Sequence, residues 1–219
     1  MTKTITTLIS QELLNPTFAM TKEYLEEFKV DYKNGLPRIE SIDFDKESER
    51  ATAYVKIKNE AFYFTFYFDI STNQIEISFV DTTPLFVVSF SVTSEKYTPT
   101  DLLSLTTIKP TEIIKKGEKF NRHTKNNYSG LSFDSYKKPG LLIDKINYLL
   151  DILEIDKKGV KKLIKLTKCN SIWLTIVYYN GYGTFSDLSI PKKVIKRLSS
   201  LGLELIFDIY AKPYSRQKK

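Results

Sequence analysis

The sequence predicts an α+β protein: an N-terminal helix with an antiparallel β-meander over residues 1–84, and a C-terminal α/β sandwich of ferredoxin-like layering over residues 85–219. Three observations predict it. Apolar residues recur with a period of two through "RATAYVKIK", "AFYFTFYFDI" and "IEISFV", the signature of strands with a buried face. The joins between them, "KNEA" and "STNQ", are short enough to connect antiparallel neighbours alone. Beyond residue 140 the period changes to three and four in "GLLIDKINYLLDILEI" and "DKKGVKKLIKLTK", helical stripes that alternate with further strands.

The first part opens with one or two helical segments, the clearer being "TKEYLEEFKVDYKN", stopped by Gly35 and Pro37. In "AFYFTFYFDI", Phe62, Phe64, Phe66 and Phe68 share one face, and Tyr63, Thr65, Tyr67 and Asp69 the other. "RATAYVKIK" sets Ala51, Ala53, Val55 and Ile57 against Thr52, Tyr54, Lys56 and Lys58, and "IEISFV" gathers Ile75, Ile77 and Phe79 on one side. "DTTP", ending at Pro84, marks the boundary between the two parts.

The second part is expected to run β-α-β-α-α-β-α-β. "LFVVSFSV" sets Phe86, Val88, Phe90 and Val92 against Val87, Ser89 and Ser91. "YTPTDLLSL" starts a helix, with Thr98 as cap, Pro99 in the first turn and Asp101 reaching back three residues. Leu142, Ile146, Leu149, Leu150 and Leu153 form one apolar stripe; Val160, Leu163, Ile164 and Thr167 form the next, with lysines opposite. "SIWLTIVYY" is a strand, and "SIPKKVIKRLSSLG" a helix begun by Pro191 and ended by Gly202. In the closing "LELIFDIYA", Leu203, Leu205, Phe207 and Ile209 form one apolar face and Glu204, Ile206, Asp208 and Tyr210 the other, so Asp208 is expected to meet water or a neighbouring loop.

Composition narrows the function. The chain is 42% hydrophobic, enough for a conventional core, and no apolar run nears the roughly 18 to 20 residues that span a bilayer. Its N-terminus lacks a small-residue cleavage site, and one cysteine, Cys169, with one histidine, His123, leaves no Cys/His set for zinc. We expect a cytoplasmic protein without a cofactor. The net charge of +7 comes from 28 lysines and five arginines against 26 acids, a lysine bias typical of AT-rich coding sequence. Residues 1–80 carry net −4 and residues 81–219 net +11, so any preference for an anionic partner belongs to the second part.

From about Leu85 onward the chain resembles a bacterial family known as domain of unknown function 4279. "TPTDLLSLTTIKPTEIIKKGE" carries the likeness near the start, with a helix, an Ile-x-Pro-Thr step and a Lys-Gly-acid element. "LSIPKKVIKRLSSLGLELIFDIY" carries it at the end. Ile108, Pro110, Thr111, Gly117, Gly202, Asp208 and Tyr210 recur in the family's order. An aromatic that the family shows after the Lys-Gly element has Tyr128 and Phe133 as its nearest counterparts. The resemblance implies an α+β domain and no established activity.

Four features could carry function. The basic run Lys115, Lys116, Lys119 and Arg122, with Gly117 to let backbone approach an anion, suits a phosphate-contacting loop; a solvated loop is the plainer reading. The aromatic stretch Tyr178, Tyr179, Tyr182 and Phe185 suits a protein contact, or is an ordinary turn. His123 could serve as a general base and Cys169 as a thiolate, but neither has a positioned partner in the sequence. Asp208 and Glu204 lie about 13 Å apart along one strand face, beyond the 9.5 Å or so of glycosidase carboxylate pairs, so Asp208 is expected to hold geometry. Three functional expectations follow: a non-enzymatic protein-binding module, of immunity or defence type by analogy; a nucleic-acid binder using the 109–125 loop and the lysine helix 156–168; and, more weakly, an enzyme built on His123.

Overall fold

The computed structural model describes residues 1–45, 47–70, 74–119, 124–180 and 188–213, with backbone alone at 179, 180, 212 and 213. Helices and antiparallel strands share the chain, which makes it an α+β protein. Two compact units divide it: Met1–Leu85 with parts of Val177–Phe185 and Tyr210–Lys219, and Phe86–Ile176 with Ser186–Ile209. Among the described residues no helix is long and apolar enough to cross a membrane.

In the first unit α1 (Thr2–Leu14) buries Ile5, Ile9 and Leu13 at spacings of four. Its Glu12 is buried too, and fastens the turn that leads into the next helix: the carboxylate accepts from the N–H of Thr17 (3.0 Å), its hydroxyl (2.6 Å) and the N–H of Phe18 (3.1 Å). Burial pushes this carboxyl up, and the hydrogen bonds from Thr17 and Phe18 outweigh it and hold it below the ordinary range. Helix α2 (Ala19–Glu27) is shorter than expected. The helical reading of "TKEYLEEFKVDYKN" fails after Glu27 because Val30 bridges to Ile57 and the chain enters the hairpin β1 (Tyr32–Lys33) and β2 (Leu36–Pro37). Asn34 and Gly35 turn it with φ of +55° and +79°, two successive left-handed residues that favour a primed hairpin turn over a helix.

Strands β3 (Ile39–Asp45), β4 (Arg50–Lys56), β5 (Phe62–Asp69) and the first half of β6 (Glu76–Ser94) follow as an antiparallel meander. The alternation in β4 and β5 is realised: Ala51, Ala53, Val55, Phe62, Phe64, Phe66 and Phe68 are all buried, with α1 and α2 supplying Ile5, Ile9 and Tyr24 to the same cluster. The opposite face is drier than expected. Tyr54, Tyr63 and Thr65 are buried there, Tyr54 edge-on to Tyr63 and the Thr65 hydroxyl donating to that of Thr83 (2.6 Å). "DTTP" does not interrupt the strand, since Asp81 to Pro84 pair with Thr65 to Phe62 of β5.

The second unit takes residues 86–94 of β6, then α3 (Pro99–Leu103), β7 (Glu112–Ile114), β8 (Ser129–Asp134), α4 (Leu142–Glu154), α5 (Lys157–Thr167), β9 (Ser171–Asn180) as far as Ile176, α6 (Lys192–Leu201) and β10 (Glu204–Pro213) as far as Ile209. The capping box forms as read, Asp101 N–H donating to Thr98 Oγ1 (3.2 Å) and Thr98 N–H to Asp101 Oδ2 (2.9 Å). The sheet runs β10-β9-β6, with β8 paired to β6 and β7 to β8. Short β7 is a strand that the expected order lacks; three residues too few to show a period are held there by Glu112 to Ile114 pairing with Ser132 to Gly130. Strands β9 and β10 start side by side, Glu204 N–H donating to Asn170 O (3.0 Å), so they run parallel with α6 as the crossover.

Two faces are corrected. Leu203 is buried, but Phe207 and Ile209 on the same face of β10 are 42% and 45% exposed, while Asp208 is half-buried. β10 lies at the sheet edge, and its apolar residues outrun their cover. The face read in "IEISFV" breaks as well: Tyr67 pairs with Phe79 but Phe68 with Ile77, and the extra residue Ser78 reverses the alternation, so that Phe79 is 50% exposed and Val80 is buried. Val88, Phe90 and Val92 of β6, Leu131 and Phe133 of β8, and Ile172, Leu174 and Ile176 of β9 are buried, as is the whole predicted stripe of α4. Phe90 and Phe133 sit opposite each other and stack at 6.0 Å. Each such buried side chain contributes about 1.5–3 kcal/mol through burial.

Candidate functional site

Helix α5 begins where Asp156 takes the cap. Its Oδ1 accepts from the N–H of Gly159 (2.8 Å), and its Oδ2 from the N–H of Thr107 (2.9 Å) and the hydroxyl of Thr106 (3.2 Å). The N–H groups of Thr107 and Gly159 hold this carboxyl below its ordinary range. The start of α5 is thus fastened to the α3–β7 connection. Gly159 permits the approach: a Cβ there would lie 2.7 Å from the Leu105 carbonyl oxygen.

From that anchored start α5 turns Val160 and Leu163 inward and leaves Lys157, Lys158, Lys161, Lys162 and Lys165 exposed. Neighbouring α6 buries Val194, Leu198 and Leu201 and exposes Lys192, Lys193 and Lys196. Neither helix contains an acid. Arg197 of α6 turns back to α4: Nε and Nη2 donate to the two carboxylate oxygens of Glu154 (3.2 and 3.1 Å), Nη1 to Asn147 Oδ1 (3.0 Å), and Nη2 also to Asp151. The Arg197 hydrogen bonds keep the Glu154 carboxyl below its ordinary range. The nearest acids of α4 are therefore engaged by one guanidinium, and Glu154 also pairs with the Lys157 ammonium of α5 (3.7 Å). Asp151, Glu154, Lys157, Lys193, Lys196, Arg197 and Ser200 line an open depression at this junction.

The residues singled out in the sequence are scattered by comparison. Lys115 and Lys116 lie in the turn that follows β7, where Gly117, at φ +86°, donates to Asn126 O (2.8 Å), and Lys119 forms an isolated bridge to Lys125. Lys115 pairs with Glu118 (3.3 Å), and the Lys116 ammonium donates to Glu95 O (3.0 Å). Arg122, His123, Tyr182 and Phe185 lie outside the described residues, and Tyr178 and Tyr179 end β9. Pro110 precedes Thr111, whose hydroxyl donates to Asp134 Oδ2 (2.9 Å), and Gly202 closes α6 at φ +75°. Asp208 and Tyr210 lie in β10, and Glu204 at its start accepts from the Ser171 hydroxyl (2.9 Å). Cys169 is half-buried, its sulfur 3.7 Å from Thr167 O.

Two features escaped the sequence reading. The lysines of α6 are visible in "PKKVIKR", but their adjacency to those of α5 is tertiary. Lys145 lies within the apolar stripe of α4, where its spacing from Leu142 and Leu149 was the one available sign; it is 1% exposed. Its ammonium donates to Tyr136 O (2.9 Å) and sits 4.7 Å from the centre of the Tyr136 ring.

Neither a curated protein nor a solved structure matches the chain. A family sequence model does, over an interval that opens in β6 and closes in β10 and so takes in every element of the second unit. That family is described as Domain of unknown function (DUF4279), the match covers residues 83–212, more than half of the chain, and the chain therefore belongs to it.

Proposed function

We propose that this protein is a non-enzymatic binding module that docks nucleic acid on the lysine face of α5 and α6. The observation that carries the reading is the eight exposed lysines on two packed helices that contain no acid of their own. Lysines at positions 157, 161 and 165 rise about 6 Å per step along one helix side. Within a Debye length of about 8 Å at physiological salt such charges sum to a field that attracts a polyanion. An anionic membrane suits the face less well, because α5 exposes no large apolar side chain and α6 exposes one, Ile195, where an interfacial helix needs a continuous apolar face to enter the lipid boundary. Lys115 and Lys116 stand on neither helix and are engaged by their own neighbours, as Lys157 is by Glu154, so they are not part of this face.

The test is the salt dependence of binding to a labelled DNA duplex. With about five phosphates neutralised, affinity falls some 10²–10³-fold between 50 and 200 mM salt, and reversing Lys161 and Lys193 to Glu flattens the log–log slope by about two. Absence of binding at 50 mM salt overturns the reading.

A protein partner is the second reading, favoured by the edge strand β10 with Phe207 and Ile209 exposed, which could accept an added strand. The aromatic stretch from Tyr178 to Phe185 belongs to this reading. Capture of one protein by the wild type, lost on Phe207→Ser with Ile209→Ser, would support it. At the level of fold, the order β6-α3-β7-β8-α4/α5-β9 with strands arranged β9-β6-β8-β7 supports a ferredoxin-like core extended by α6 and β10. A single half-buried cysteine suits a reducing cytoplasm.

A further inference from the structure

We infer that the α5–α6 surface grips the phosphate backbone of a nucleic-acid duplex and reads no bases, an inference that rests on the nucleic-acid reading above. The side-chain inventory argues it first. "KKGVKKLIKLT" and "KKVIKRLSSL" contain no Asn, Gln or aromatic residue, the groups that make bidentate contacts to adenine or stack on unpaired bases. The one guanidinium in the two helices, able in principle to fork onto guanine, is spent on Glu154, Asp151 and Asn147 of α4, with 18% of its side chain exposed. The polar groups that face outward are eight ammoniums on long flexible stems, which meet phosphate as point charges without demanding one geometry, beside the hydroxyls of Ser199 and Ser200 and the apolar Ile195.

Charge density then chooses the form of nucleic acid. The α5 lysines from 157 to 165 span about 12 Å, and a packed neighbouring helix widens the face by roughly 8–10 Å. Along 12 Å a duplex presents about seven negative charges, at one per 1.7 Å, and a single strand about half as many. Lysines of two neighbouring helices, brought together where Lys157, Lys193 and Lys196 line one depression, can meet phosphates of both strands of a duplex. On a single strand the lysines of one helix are left without phosphates, and no aromatic side chain of the two helices compensates by stacking.

The experiment is fluorescence anisotropy of the full chain at 50 mM salt with labelled 20-base-pair DNA duplexes of two unrelated sequences and with the separated single strands. The expected result is equal affinity for the two duplexes to within about threefold, and single strands weaker by about tenfold or more, following the charge count. Lys161→Gln with Lys193→Gln lowers affinity for both duplexes by the same factor, while Lys115→Gln with Lys116→Gln leaves it unchanged. A single strand bound as tightly as its duplex, or a tenfold preference between the two sequences, overturns the inference and leaves the nucleic-acid reading standing. Binding to phosphatidylserine vesicles or polyglutamate in preference to every nucleic acid overturns both.

Discussion

Lys145 sets a charge where the fold has arranged hydrocarbon. Its neighbours on α4 are buried leucines and isoleucine, its Nζ finds the Tyr136 carbonyl and ring, and among the described residues it forms no ion pair. Burial pulls its pKa from 10.5 to about 8. The sign follows from proton counting. Between about pH 8 and 10.5 the unfolded chain holds a proton on this lysine that the folded chain has lost, so stability rises with pH across that window. The rise is bounded by about 3 kcal/mol, the free energy of a shift of this size. Urea titrations at pH 7, 8, 9 and 10 should show the midpoint climbing for the wild type. In Lys145→Met that climb disappears, and stability at pH 7 is equal to or above the wild type's, because an apolar side chain of similar length removes the cost of a buried charge.

At the scale of elements, the anchoring of α5 gives a sharper expectation. A methyl at position 159 would meet the Leu105 carbonyl and the Asp156 carboxylate, so Gly159→Ala cannot gain the usual helix-propensity advantage of alanine. It should instead cost about 1–3 kcal/mol as the cap and its bonds to Thr106 and Thr107 are displaced, read as a lower denaturation midpoint. Much of this layer was legible in the letters. The capping box of α3 and the apolar faces of α4, β4 and β5 follow from local spacing, and local spacing also determines them in the molecule. What could not be read is what depends on distant partners. The end of α2 is decided by Val30 meeting Ile57, β7 exists by pairing with β8, and the exposure of Phe207 and Ile209 depends on how far a cover extends over an edge strand. The candidate site was half legible. The α5 lysines were visible as the polar side of a helix, but that α6 adds three more beside them and that Arg197 neutralises Glu154 and Asp151 are facts of packing.

Over the whole molecule, the charge imbalance and the family assignment coincide. Residues 1–80 are net acidic and lie outside the matched interval, while the basic lysine helices lie inside it. The first unit depends on pairing as well as on its helices. Strand β5, with four phenylalanines on one face, has its second edge satisfied by Glu76 to Pro84 of β6. A chain ending at Gln74 would leave that edge open beside an apolar, aromatic sequence, a template for intermolecular pairing. It should aggregate at micromolar concentration by light scattering, and a chain ending at Leu85, which restores the β5–β6 ladder, should scatter less.

Strand β6 itself is 19 residues long, and its first ten residues belong to one compact unit and the rest to the other. The family interval opens at residue 83, inside this strand, so that three residues of the first unit fall within it, and while the backbone is still laddered to β5. The heritable module and the mechanical one therefore have different borders. A recombination event that transplanted residues 83–212 would carry away Thr83 and Pro84 from their partners Tyr63 and Phe62, so the part most readily passed between proteins is not quite the part that is structurally closed.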